Sequence, residues 1–259
     1  MNFARAFSTI RKDGLGTVLR RRLLWYRDRF KGTLIALKGN KIYMDGMTYS
    51  VASPQFSSTL KCAIGAGNYE QPERDLVAAW LPADFPVVEL GGGLGAVSCL
   101  ANRKLEDPTR HVVVEANPAM IPVLSTNRDI NSCAFTVTNR ALAYDAETVP
   151  ISIDPDFVGS SAVAMTGTRT VDVKTATLTD VMSEYGFERC GVLCDIEGLE
   201  AELIEREFPA LGERIRYIMA EMHPWIIGRE TTDRLLASLG KMGFIEKQTI
   251  GDCIFYARA

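Results

Sequence analysis

Val87-Val88-Glu89-Leu90-Gly91-Gly92-Gly93-Leu94-Gly95-Ala96 is the stretch on which the fold turns. Val87 to Leu90 is a short apolar run and reads as a buried strand. It breaks into glycines, and a segment with helical spacing (Val97, Leu100) follows. Strand, glycine turn and helix start in that order make a ligand-binding crossover. The turn demands backbone angles that side chains forbid, and the glycines let a ligand approach the backbone. The free N–H groups of the helix start then face the crevice.

Two ligand classes use such a loop. Gly91, Gly93 and Ala96 satisfy the G-x-G-x-x-G/A of dinucleotide sites. Glu89, Gly91, Gly93 and Gly95 satisfy the acid-plus-glycine loop of enzymes that use S-adenosylmethionine. A pyrophosphate would be repelled by Glu89, whereas the ammonium and sulfonium of the methyl donor would be attracted. Glu89 therefore favours the methyl donor.

Outward from this loop the chain alternates strand and helix. Further strands are expected at His111–Glu115, Phe135–Thr138, Val192–Cys194 and Tyr217–Ala220. Helices are expected from Pro118 to about Asn131, over 199–206 and over 231–242. The last two strands, Phe244–Ile250 and Cys253–Arg258, are joined by Gly251-Asp252 and must be antiparallel. The expected fold is α/β and Rossmann-like: a mostly parallel sheet with a C-terminal antiparallel hairpin, which suits a methyltransferase better than a dinucleotide enzyme. The segment from 143 to 189 is too long for a plain crossover. It reads as extra strands at Val149–Ile153 and Thr170–Val173, then a helix from near Thr179.

Upstream of the loop the character changes. Arg20, Arg21, Arg22, Arg27, Arg29 and Lys31 alternate with Leu23, Trp25, Tyr26 and Phe30, so a basic amphipathic helix is expected from Thr17. It fits either a docking helix with solvated charges or a peripheral membrane contact. Residues 36–60 read as β-rich, with a hairpin at 41–51 turning on Asp45-Gly46, and a helix follows from Pro72 to Trp80. The chain accordingly divides into an N-terminal extension, 1–60, and a methyltransferase domain, 61–259. With 259 residues and a formal net charge of −3 there is no nucleic-acid signature. Six cysteines without a C-x-x-C, and no apolar run long enough to span a membrane, suit reduced thiols in a cytoplasmic protein. With two histidines and no such spacing, no zinc site is expected and no metal ligand is assigned; the three acids around Gly198 suit either Mg²⁺ or solvent.

Open parallel sheets bind ligands at the carboxyl ends of their strands. An acid lies at or next to that end on four strands: Glu89, Glu115, Asp195 and Glu221. Acids are depleted in strands and costly to bury, so a cationic cofactor along that rim would account for them together. Glu115, about 20 residues past the loop, is placed to accept the cofactor's ribose hydroxyls, with Asn117 in support. Asp195-Ile196-Glu197-Gly198-Leu199-Glu200 packs three carboxylates around a glycine, and Asp195 or Glu197 would orient or deprotonate an acceptor. His223, in Glu221-Met222-His223-Pro224, is a candidate base, and His111, at a strand start, is structural.

With these pieces in place the chain resembles the FkbM family of S-adenosylmethionine-dependent methyltransferases. The matching features are Tyr69-Glu70, the Glu89-to-Gly95 loop, Glu115-Ala116-Asn117-Pro118, Thr177-Leu178-Thr179-Asp180, the Asp195-to-Glu200 segment and Glu221-Met222-His223-Pro224. The resemblance implies a class I methyltransferase fold and O-methylation of a hydroxyl on a sugar, glycan or secondary metabolite. Two other functions remain: an NAD(P)-dependent oxidoreductase with Tyr144 as proton donor, and a non-catalytic binding module of the same fold.

Overall fold

A computed structural model describes residues 15–153 and 169–258. The chain runs α1 (Leu15–Leu37), β1 (Lys41–Met44), β2 (Met47–Ser50), α2 (Ser58–Gly65) and α3 (Gln71–Trp80) before the glycine loop. The alternating core follows: β3 (Val87–Leu90), α4 (Ala96–Lys104), β4 (His111–Glu115), α5 (Ile121–Ile130) and β5 (Thr136–Asn139). Next come β6 (Ala141–Leu142), β7 (Thr148–Ile153), β8 (Arg169–Ala176), α6 (Leu178–Glu184) and β9 (Cys190–Cys194). A broken helical segment, α7 (Glu200–Glu202), a π turn (Leu203–Glu207) and α8 (Phe208–Leu211), leads to β10 (Ile215–Glu221). The chain closes with α9 (Pro224–Ile227), α10 (Arg229–Lys241), β11 (Ile245–Ile250) and β12 (Cys253–Ala257).

Seven strands form the main sheet in the order β11-β12-β10-β9-β3-β4-β5. The pairs among β10, β9, β3, β4 and β5 are parallel, and β12 is antiparallel to both β10 and β11. This is the expected α/β, Rossmann-like, mostly parallel sheet with a terminal antiparallel hairpin. From β3 the winding goes out through β4 to β5, then returns to β9 and on to β10. The order therefore reverses between β3 and β9, where such sheets open a crevice. The extra strands of the 143–189 segment, β7 and β8, join β6 in a separate three-stranded sheet, β6-β8-β7.

Strand alternation sorts the core into two faces. Val88, Leu90, Val192 and Ile218 pack with α6, α8 and α10 on one face. Val87, Leu193, Met219 and Phe255 pack with α3 and α4 on the other. The N-terminal hairpin is part of the body: Met44, Tyr49 and Val51 share a cluster with Leu94, Val113 and Leu124. Asn127 of α5 and Asn131, the residue that caps its C-terminus, clamp the hairpin's edge. Asn127 accepts from Ser50 N at 2.6 Å, and Asn131 both accepts from Thr48 N at 3.0 Å and donates to Thr48 O at 2.9 Å. These side-chain amides substitute for a neighbouring strand.

Three local expectations are corrected. The 36–60 region is not β throughout, because Ser57 accepts from Leu60 N at 3.3 Å and starts α2, which runs past residue 60. α5 begins at Ile121 rather than Pro118, since Asn117 folds 117–120 into a turn of its own, bonding Ala119 N with its side chain and Met120 N with its carbonyl. The helix expected over 199–206 is divided by the π turn, which ends on the buried Glu207. Glu207 accepts from Leu178 N, Thr179 N, Thr179 Oγ1 and the Tyr144 hydroxyl. Together with the Thr177–Asp180 capping box, it makes the Thr177-to-Asp180 motif a helix start.

Candidate functional site

A cavity of about 630 Å³ opens at the carboxyl ends of β3, β4, β9 and β10. Its wall includes Gly91 and Gly93 of the loop, Glu115 of β4, Asp195 and Glu197 beyond β9, and Glu221 of β10. The volume suits a small cofactor with its substrate.

The glycines are there for the reason the sequence suggests. Gly91 (φ 90°), Gly93 (φ 48°) and Gly95 (φ 87°) are left-handed. A Cβ on Gly91 would overlap the Asp195 carbonyl oxygen, so the glycine is what lets the loop pass the next strand's end. Gly95 caps α4 behind the loop and is not in the cavity wall.

Glu115, expected at the cofactor's ribose, lies in the cavity wall with both carboxylate oxygens on backbone N–H groups. Its Oε2 accepts from Gly92 N at 3.0 Å and Gly93 N at 2.8 Å, and its Oε1 accepts from Asn117 N at 2.6 Å. Burial pushes its pKa up, and the three N–H groups pull against that shift. The loop amides that would cradle a phosphate are thus already given to a carboxylate. Asn117 lies behind the wall, with its Oδ1 on Ala119 N and its buried Nδ2 without a partner.

Glu89 is a correction. It shares its sheet face with Val87, so alternation turns it beneath α4 and away from the strand end. It accepts from the Ser98 hydroxyl at 2.6 Å and pairs with His111 Nε2 at 2.9 Å, all three being buried. It lines no part of the cavity and cannot attract a cofactor there by contact. His111 is structural, as expected.

The far side of the cavity is acidic in a different way. Asp195 Oδ1 is buried without a hydrogen-bond partner. Burial raises its pKa well above the ordinary value, and Glu221 adds to the shift. Glu221 is raised to about 7, first by burial and then by Glu73. Glu73, on α3, is only 5% exposed, and its Oε2 has no partner. Glu70, at the start of α3, is raised by burial. The segment before α3 is held by Arg74, which donates to Tyr69 O at 2.9 Å and Gly67 O at 2.6 Å and pairs with Asp45. Glu70, Glu73 and Cys253, all in the wall, are absent from the site as read from the sequence; the Tyr69-Glu70 motif was the signal for the first.

His223 is brought to this cluster, but from behind. Its Nδ1 pairs with buried Glu200 at 3.0 Å, and its Nε2 faces Asp195 at 3.5 Å, Glu197 at 3.6 Å and Glu221 at 3.9 Å. Burial lowers its pKa, but Glu200, Asp195 and Glu221 outweigh it and raise the value to about 9. His223 is buried and outside the cavity wall, and the surrounding carboxylates favour its imidazolium form, so it stands beneath the acids as their counter-charge rather than facing an acceptor as a base. Glu200 in turn accepts from Ile196 N and Gly198 N, shaping the turn that presents Asp195 and Glu197. Tyr144 is outside the cavity wall and donates to Glu207 at 2.7 Å, so it is not placed as a redox proton donor.

No family model matches this chain, and no curated protein matches it. Solved structures do. A precorrin-6y C5,15-methyltransferase from Geobacter metallireducens aligns at 12% identity over 72% of this chain and 87% of that one, with a TM-score of 0.43. An O-methyltransferase from Bacillus cereus, solved with S-adenosylhomocysteine, aligns at 11% over 72% and 80%, with a TM-score of 0.43. Aeropyrum pernix fibrillarin, solved with S-adenosyl-L-methionine, aligns at 12% over 68% of each chain, with a TM-score of 0.40.

Two sets of side chains are also close enough to share an ion: Glu73, Glu221 and Cys253, and Asp195, Glu200 and His223, each with ligand atoms within 4.8 Å of one another. In the second set Glu200 and His223 already satisfy one another.

Proposed function

We propose that this protein is an S-adenosylmethionine-dependent methyltransferase of the FkbM type, acting on a hydroxyl of a sugar, glycan or secondary metabolite. The observation that carries it is the electrostatics of the crevice. Glu115 occupies the loop amides, and the opposite wall holds Asp195, Glu197 and Glu221, with unpartnered oxygens on Asp195 and buried Glu73. Such a wall repels a pyrophosphate and accepts a cationic cofactor. It also disfavours the oxidoreductase function, without any help from Glu89.

S-adenosylmethionine, when bound, supplies an already activated methyl group on a positively charged sulfur. The Gly91 and Gly93 backbone lines the place it would take, and Glu115 keeps the loop in that shape. Asp195 orients the acceptor hydroxyl. Glu221, with a pKa of about 7, takes the hydroxyl proton on its carboxylate near neutral pH. His223 balances the charge of Asp195, Glu197 and Glu221 from beneath. Positioning supplies much of the rate, because charge is lost as the methyl moves. The six free thiols support a reducing, cytoplasmic setting.

Calorimetry tests the pocket: S-adenosylhomocysteine binds the wild type, Gly93→Arg abolishes the heat, and NADH gives none. Equal heats for the two proteins, or saturable NADH binding alone, would overturn the assignment. Transfer of labelled methyl to hydroxyl-bearing sugars then tests the acceptor class.

A further inference from the structure

We infer that α1 is a membrane-surface helix, which docks this protein on an anionic lipid leaflet. One side of α1 is taken by the protein. A Cβ on buried Gly32 would overlap the Ser58 carbonyl, so α1 and α2 cross there with no space for a side chain, and Ile35, about 60° around the helix from Gly32, meets Gly65. The opposite side is covered by nothing among the described residues. Leu23, Tyr26, Phe30, Leu34 and Leu37 are 70%, 63%, 66%, 38% and 78% exposed. Their spacing of three, four, four and three residues places all five within about 80° of arc, centred about 180° from the Gly32–Ile35 contact.

A stripe of this size exposed to water needs a partner. Its flanks say which. At the same angular repeat Arg27 and Lys31 border it on one side, and Arg29 on the other. Arg29 lies over the Trp25 ring at 4.8 Å. Upstream the sequence adds Arg20, Arg21 and Arg22, so α1 carries six basic residues and one acid in a chain of net charge −3. An apolar stripe between cationic borders, with tryptophan and tyrosine near it, matches the boundary between acyl chains and anionic headgroups. A second copy of this chain would have to set those cations against one another. Leu60 of α2, the helix on which α1 packs, lies in the cavity wall, so the docked helix adjoins the element that borders the site.

The full-length protein is sedimented with vesicles of phosphatidylcholine alone or mixed with phosphatidylserine. It is expected to co-sediment with the mixed vesicles only, and to come off at high salt. Arg27→Gln with Lys31→Gln weakens partitioning by about 30-fold, at about fivefold for each cation. Tyr26→Ser with Phe30→Ser abolishes it, while circular dichroism and S-adenosylhomocysteine binding stay at wild-type values. Binding that is absent, or equal on both vesicle types, overturns the proposal, as does a wild-type dimer in light scattering that the Tyr26/Phe30 variant converts to a monomer. None of these readouts depends on methyl transfer.

Discussion

The two walls of the cavity use carboxylates in opposite ways. On the loop side each acid is spent: Glu115 on three backbone N–H groups and Glu89, beneath the loop, on Ser98 and His111. On the far side the acids are short of partners: Asp195 and Glu73 each hold a buried oxygen that nothing donates to, and Glu221 is driven to a pKa of about 7. A satisfied buried carboxylate fixes structure, whereas an unsatisfied one costs free energy until a ligand compensates it. The loop wall is therefore scaffold, and the far wall is where chemistry is expected.

The contrast is most severely tested at the loop. Gly91→Ala should unfold the site, since its Cβ overlaps the Asp195 carbonyl and φ is left-handed. A loss of at least about 3 kcal/mol in denaturant unfolding is expected; a stable, donor-binding variant would show that the loop is not packed as described. Asp195→Asn should do the reverse. It should lower kcat by about 10²–10⁴-fold while thermal stability holds, because burial already disfavours the charged form of Asp195. A variant that loses stability along with activity would place Asp195 in the scaffold instead.

The pH dependence sharpens the comparison. Wild-type turnover should rise through about pH 7 as Glu221 ionises, and Glu221→Gln should remove that rise. Both Glu221 and His223 have pKa values raised above their unfolded ones, so both stabilise the fold at low pH and lose that contribution as pH rises. For Glu221 the loss ends near 7 and for His223 near 9. The melting temperature should therefore fall from about pH 5 to about pH 9, and a flat profile would mean that the acids are not coupled. The smallest effect is expected at Tyr144→Phe. Glu207 keeps its donors from Leu178 and Thr179, so about 1 kcal/mol of stability is lost and activity is unchanged.

Much of this molecule is legible in the chain. Apolar runs ending in acids give the parallel strands, Gly251-Asp252 gives the final hairpin, and the three left-handed glycines give the loop, because each depends on neighbours within a few residues. α2 was less legible, as a single capping serine outweighs the β-branched and aromatic pattern around it. The π turn gave no signal that distinguishes it from an ordinary helix.

The sequence by itself determined that acids would stand at strand ends around a glycine crossover. It could not say what each would do there, since Glu89, Glu115, Asp195 and Glu221 follow similar apolar runs. Tertiary structure decided that, by bringing Ser98 and His111 to Glu89, loop amides to Glu115, Glu200 to His223, and to Asp195 Oδ1 no hydrogen bond, only the His223 ring at 3.5 Å. The role of a carboxylate is set by which donors the fold delivers to it, and those donors come from elements far along the chain.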